Sequence, residues 1–313
     1  MPIREINFRG VFPILATPFH EDETLDLESM RQQVSFMATA GANGVTVLGV
    51  LGESNRMTDR DREQIIETSV AAAGAMPVIV GTSHSGTNAT VDLTQMAQAL
   101  GAAAVMIAPG YEAIPNDDRV LDYYSRIAQA TAIPIVAQDH PASTQVHMAI
   151  PMLLRLVASV PQIACLKEEG LPTPQRVAAL RRGMDRTVPI LTGLGALYGL
   201  FDLEQGSDGF NTGFAFPEVL LAMVQSKQHG DWDTVRELYA RFLPLIVFEQ
   251  QPGLAIRKEI LRRRGLIDTA RVRHPGAGLA PEVGEQLTRL IDWLLPGVDL
   301  TRPLVLDGTL TRS

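Results

Sequence analysis

With 313 residues, 46% of them hydrophobic, the chain can bury a large core and suits one barrel domain or two smaller ones. An aromatic share of 5% with recurring Ala, Val, Ile and Gly fits closely packed strands and helices, not a disulfide-held or disordered scaffold. A net charge of -8 argues against nonspecific binding to nucleic-acid backbones, and the single cysteine, Cys165, excludes an internal disulfide.

No run approaches the roughly 20 apolar residues of a membrane span, and residues 1–10 lack the basic start and apolar stretch of an export leader. A globular protein of the cytoplasm is expected, with no nucleic-acid or membrane partner. Short apolar stretches recur along the chain at residues 11–16, 44–48, 78–81, 104–108, 135–138, 163–167, 190–192 and 209–212. Each is nearly continuous in apolar residues, as strands buried on both faces of a parallel sheet are. Helices are expected between them. Leu27, Met30, Val34 and Met37 recur at helical steps after the first strand. Thr58 is a natural cap for the next helix, with Asp59 and Asp61 at its positive end and Ile65, Ile66, Val70 and Ala73 facing inward.

Eight alternating units predict a (β/α)8 TIM barrel, with an open doubly wound sheet as the alternative. From about Pro217 the strand signal stops, and residues 235–248, 254–264 and 283–295 read as helices. The expected organisation is a barrel over 1–225 and a helical extension with a tail over 226–313. The tail, from residue 296, has no clear periodicity and is left to pack on the body or on a neighbouring subunit. Arg262, Arg263 and Arg264 read as a solvated helix face.

In a parallel barrel the catalytic groups project from the carboxyl ends of the strands. Lys167 closes the apolar stretch Ile163-Ala164-Cys165-Leu166. An amine there is desolvated, which favours its neutral, nucleophilic form, able to condense with a ketone to an iminium. The alternative is a surface lysine paired with Glu168 or Glu169. After the second strand, Gly49-Val50-Leu51-Gly52-Glu53-Ser54 offers free backbone amides for a carboxylate, or simply a tight turn. The glycine run 193–199 is spaced wrongly for a dinucleotide fingerprint and falls in the seventh unit. The six histidines fall in no zinc spacing, although Asp139 and His140 with Glu53 or Glu169 would be able to hold a divalent ion. No Gly-x-Ser-x-Gly elbow occurs, and Ser83-His84-Ser85 makes no triad by itself.

Taken together, these segments resemble the dihydrodipicolinate synthase and N-acetylneuraminate lyase family of class I pyruvate-type aldolases and dehydratases. Gly10-Val11 through Thr17-Pro18-Phe19 matches the family's opening, and Gly49 to Glu53 stands where it has Gly-[Ser/Thr]-Thr-Gly-Glu. Gly81-Thr82 follows in order. Ala108-Pro109-Gly110-Tyr111 matches a Pro-Tyr-Tyr segment, and Cys165-Leu166-Lys167-Glu168 the strand with the Schiff-base lysine. The resemblance implies a homotetramer or homodimer, a small 2-keto acid substrate, and no metal or organic cofactor.

Two departures narrow the chemistry. Val50 and Leu51 replace hydroxyl residues that help hold the keto acid's carboxylate, so backbone amides carry that task. Gln138, in Gln138-Asp139-His140-Pro141, replaces the catalytic tyrosine of Tyr-Asn-x-Pro, and a carboxamide exchanges no proton near neutral pH. Gln-Asp-x-Pro is similar to the atypical branch that includes 2-keto-3-deoxy-L-arabonate dehydratases. The implied reaction is dehydration or retro-aldol cleavage of a 2-keto-3-deoxy sugar acid through an iminium on Lys167. Gln138 and Tyr111 are its expected catalytic companions, and Gly49, Val50, Leu51, Gly52, Glu53, Asn211 and Thr212 its expected substrate contacts. The missing base is left among Tyr111, His140 and a water held by Gln138 and Ser83. The alternatives are a dihydrodipicolinate synthase-like aldolase, a metal-dependent barrel lyase, and a keto-acid-binding protein without turnover.

Overall fold

The structure is a computed structural model that describes residues 6–110, 116–251 and 253–306. Asp26 opens α1 (Leu27–Ala40) by accepting a hydrogen bond from the Ser29 amide, and Gly41 closes it at φ 87°. Thr58 opens α2 (Asp59–Ala73) in a reciprocal capping box with Asp61, as its sequence predicts. The strands are β1 (Gly10–Val11), β2 (Val45–Val47), β3 (Val78–Gly81), β4 (Ala104–Ile107), β5 (Ile135–Asp139), β6 (Ile163–Glu168), β7 (Ile190–Thr192) and β8 (Gly209–Phe210). Between them run α3 (Thr87–Ala99), α4 (Asp117–Ala130), α5 (Pro141–Thr144), α6 (Ile150–Ser159), α7 (Thr173–Gly183) and α8 (Gly199–Glu204).

All neighbouring strands are parallel, in the order β1-β8-β7-β6-β5-β4-β3-β2. A parallel bridge between Ile14 and Thr46 joins the two ends of that order and closes the barrel. The first strand is shorter than the expected 11–16 because Pro13 has no amide proton to give the ladder. At the β1–β8 seam the backbones approach closely, for a Cβ on Gly209 would stand 1.9 Å from the Gly10 carbonyl oxygen.

The eight-fold α/β barrel sorts its side chains by the two-residue alternation of each strand. Ile79, Met106, Val136, Cys165 and Leu191 meet Phe8 and Phe12 in an apolar inner cluster. Alternate residues pack outward against the helices. On the same faces as Val136 and Cys165, one step nearer the carboxyl ends, stand Gln138 and Lys167.

After β8 come α9 (Pro217–Gln228), α10 (Trp232–Phe248), α11 (Leu254–Arg263) and α12 (Pro281–Leu294). Residue 225, the expected boundary, lies inside α9. Phe242, Ile260 and Leu287 of the later helices share one apolar cluster with Val11 and Phe210 of the barrel. The tail packs on the body as far as Leu304, whose amide donates to Glu218. The expectation that Arg262, Arg263 and Arg264 form one solvated face is corrected at Arg264. Its guanidinium is fully buried, 4.7 Å from the ring centres of both Phe36 and Phe216, and pairs with Glu218. Among the described residues no helix is long and apolar enough to cross a membrane.

Candidate active site

Strand pairing places Gln138 opposite Lys167, and Asp139 opposite Glu168. Alternation then sends the first pair into the barrel and the second toward the helices. Lys167 is only 2% exposed, which removes the reading of it as a surface lysine.

The partner of Lys167 is Glu169, whose Oε2 lies 3.1 Å from the Lys167 Nζ. Gln138 Nε2 donates to the same oxygen at 2.6 Å, and the Leu194 amide donates to Oε1 at 3.1 Å. Glu169 follows the last residue of β6, but its amide still donates to the Asp139 carbonyl oxygen, which carries the strand's alternation one residue further. Lys167 and Glu169 therefore share a face. Burial by itself pushes the Glu169 carboxyl up, but the Lys167 charge, His140, the Gln138 amide and the Leu194 amide outweigh it and hold the group below its ordinary value. His140 is itself held below the usual imidazole range, chiefly by burial and secondarily by the Lys167 charge, against the pull of Glu169. Its Nδ1 lies 2.6 Å from the Ser143 hydroxyl.

The loop after β7 is shaped for this carboxylate. Leu194, Gly195 and Ala196 have φ of 50°, 65° and 64°, a left-handed run that is strained at Leu194 and Ala196. It aims the Leu194 amide at Glu169 and the Gly195 amide at Thr212 Oγ1.

Behind the site, Asp139 and Glu168 share the guanidinium of Arg176 from α7, at 2.5 and 2.9 Å. Arg176 also donates to the Met148 carbonyl oxygen, and the Gly170 amide to Glu168. Burial pushes the Asp139 carboxyl up to about 6 and Glu168 up to about 7 in spite of Arg176. This outer cluster ties the ends of β5 and β6, hence Gln138 and Lys167, to one helix.

Of the other expected contacts, Val50–Gly52 forms a single 3-10 turn. The amides of Gly52 and Ser54 donate to the Gly49 carbonyl oxygen and that of Glu53 to Val50, whereas Val50 and Leu51 open the turn, where no bond internal to it uses their amides. Val50 is 56% exposed. The Glu53 carboxylate is buried, pairs with Lys258 at 2.6 Å and Arg56 at 2.8 Å, and accepts from the Arg273 amide. Asn211 is likewise buried. Its amide group donates to the Phe12 carbonyl oxygen and to Thr46 Oγ1, bracing the closure of the barrel. Thr212 accepts from Gly195, and Ser83 accepts from the Ala108 amide at 2.9 Å. Tyr111 lies outside the described residues.

The carboxylates weighed for a divalent ion do not converge, with Glu53 held by Lys258 and Asp139 turned outward to Arg176. Among the described residues no group of three or more metal-ligating side chains comes together.

The model of the dihydrodipicolinate synthetase family matches residues 7–293. The chain belongs to that family. It is thereby a member of the Schiff-base-forming class I aldolases and dehydratases. Within the dihydrodipicolinate synthetase family it is 34% identical to L-2-keto-3-deoxyarabonate dehydratase of Azospirillum brasilense, over 92% of this chain and 95% of that protein. It is 30% identical to 4-hydroxy-tetrahydrodipicolinate synthase of Methanospirillum hungatei, over 80% of this chain and 88% of the relative. The crystal structure of dihydrodipicolinate synthase from Rhodopseudomonas palustris superposes with a TM-score of 0.87 at 34% identity, covering 91% of this chain and 97% of the other.

The residue that sequence reasoning left out of the site is Glu169, weighed only as a pairing partner or metal ligand. The signal was present in Lys167-Glu168-Glu169, where residues two apart share a face if the strand's alternation persists beyond its end.

Proposed function

We propose that this chain is a 2-keto-3-deoxy sugar-acid dehydratase that joins Lys167 to the substrate's C2 as an iminium and expels the C4 hydroxyl as water. The observation that carries the reading is a buried lysine at a strand's carboxyl end, facing the barrel interior beside a carboxylate and a carboxamide. The iminium draws electrons from C2, which makes a C3 proton removable and the C4 hydroxyl a leaving group. The likeness to L-2-keto-3-deoxyarabonate dehydratase over nearly the whole chain supports breaking the carbon-oxygen bond rather than the C3–C4 bond of a retro-aldol reaction.

In this reading the amides of Val50 and Leu51, between Gly49 and Gly52, receive the substrate carboxylate in place of hydroxyls. Gln138 and Tyr111 complete the catalytic set by hydrogen bonding. The protein works as a cytoplasmic homodimer or homotetramer without a metal or organic cofactor, and sedimentation reads the assembly.

The test is borohydride trapping with pyruvate and a panel of 2-keto-3-deoxy acids, with the adduct mapped by mass spectrometry. Labelling is expected at Lys167 and not in Lys167→Ala. Substrate consumption without release of pyruvate marks the dehydratase, and release of pyruvate the retro-aldolase. If no keto acid labels Lys167, the mechanism is lost. Labelling without turnover across the panel would leave a keto-acid-binding protein.

A further inference from the structure

We infer that Glu169 is the proton carrier of this site, taking over the task of the absent tyrosine by moving protons between Lys167, the substrate's C3 and the departing oxygens. The inference rests on the reading that Lys167 forms the Schiff base, and it deepens that reading by naming the acid-base group.

Contact is the first argument. A general base must lie within hydrogen-bonding reach of the proton it takes, and Glu169 Oε2 is 3.1 Å from Lys167 Nζ, the atom that becomes bonded to C2. C3 is one bond beyond C2, so a carboxylate touching Nζ is also within reach of the C3 hydrogens. Of the other groups, Gln138 has no proton to exchange near neutral pH. His140 is joined to Ser143 and Ser83 to the Ala108 amide.

Preparation is the second. Two amide donors and a left-handed loop hold a carboxylate in a place otherwise closed to solvent. A buried ion pair is a poor device for stability, because desolvation of the two charges offsets their attraction. Leaving Lys167 protonated would also remove the nucleophile. Those donors hold Glu169 as the carboxylate in the resting pair, so the proton passes from Nζ to Oε2 as the keto acid is taken up, giving the neutral amine and neutral acid from which the reaction starts.

The steps balance with that one proton. The neutral amine adds to C2, a proton passes from nitrogen to the former carbonyl oxygen, and the Glu169 acid protonates the hydroxyl so formed. Water leaves, the C2–oxygen bond breaks, and the iminium stands beside a Glu169 carboxylate. That carboxylate removes a C3 proton to give the enamine. The enamine electron pair then forms a C3–C4 double bond as the C4–oxygen bond breaks, Glu169 protonating the departing hydroxide. Water has left twice, and one now returns. The Glu169 carboxylate takes a proton from it as its oxygen adds to C2, a proton passes from that new hydroxyl to nitrogen, and the C2–nitrogen bond breaks. The 2-keto product leaves a neutral amine and a neutral acid, with one water lost overall and no oxidant or reductant required.

The experiment uses pyruvate as the probe and follows deuterium exchange of its methyl hydrogens by NMR, beside borohydride labelling of Lys167. In the full-length Glu169→Gln variant, exchange is expected to fall by at least about 10²-fold, the ordinary contribution of a general base. In Glu169→Ala, added formate is expected to restore exchange, a rescue that a purely structural role would not produce. Were Glu169 only a counter-ion, its loss would free the amine, and labelling and exchange would proceed undiminished. Exchange at about the wild-type rate in Glu169→Gln, or failure of formate to rescue a folded Glu169→Ala protein, would overturn the inference. A wild-type protein that neither labels nor exchanges would instead refute the Schiff-base reading itself.

Discussion

Gly193 and Glu169 pack with no room for a further atom between them: a Cβ on Gly193 would stand 1.9 Å from Glu169 Oε1. The contact by itself calls for glycine here, whose φ of -119° lies outside the left-handed region. Gly193→Ala is therefore expected to push the carboxylate off Lys167 and Gln138. Displacement of about 1 Å costs on the order of 10²-fold in rate. Deuterium exchange into pyruvate checks the rate, and circular dichroism checks that the barrel remains folded.

The outer cluster predicts a different kind of loss. Arg176→Met leaves Asp139 and Glu168 buried without their shared cation. Removing one partner from a buried ionic cluster costs about 3–5 kcal/mol. Denaturant unfolding should show a loss of this order, with activity falling as the ends of β5 and β6 loosen.

The same cluster makes stability depend on pH. The carboxyls of Asp139, raised to about 6, and Glu168, raised to about 7, prefer the neutral form in the folded protein. Their contribution is fully present below the ordinary carboxyl range near about pH 4 and is lost as pH climbs through the raised values. Asp202, raised to about 6, and Glu249, raised to about 7, both mainly by burial, act in the same direction. The denaturant midpoint is expected to decline from pH 5 toward pH 8. Glu168→Gln should flatten part of that decline, and an unchanged slope would contradict the assignment. Glu169, held below its ordinary value, acts oppositely and loses its contribution only as pH falls into the acid range.

Arg264 tests the packing of α11 on the barrel. It pairs with Glu218, donates to the Ala215 carbonyl oxygen at 2.6 Å and lies against two phenylalanine rings. Arg264→Lys keeps the charge but loses the planar fork and the stacking. A loss on the order of 3 kcal/mol in denaturant unfolding is expected.

Lys258 and Glu53 tie the loop after β2 to α11 through a buried pair. If the loop receives the substrate carboxylate as proposed, Lys258→Met is expected to loosen residues 49–53 and raise KM for a 2-keto acid more than it lowers kcat. Adding Glu53→Gln to Lys258→Met should recover part of the stability lost, as it removes a buried charge left with Arg56 alone of its two cations. Steady-state kinetics and thermal melts on both variants check this.

The amino-acid sequence by itself determined the eight short strands, the helices between and after them, and the position of Lys167 at a strand end. These are local properties, since apolar continuity, helical periodicity and capping residues act over a few neighbours, and a parallel barrel then faces its strand ends one way. Tertiary structure alone decided which acid Lys167 meets. Glu168 and Glu169 are adjacent in the chain, yet one turns to Arg176 on α7 and the other to Gln138 on β5 and Leu194 after β7. It likewise set Glu53 against Lys258, and took Arg264 from solvent to Phe36, Phe216 and Glu218. A charged side chain's role depends on what desolvates and neutralises it, and those partners arrive from distant segments only when the barrel closes.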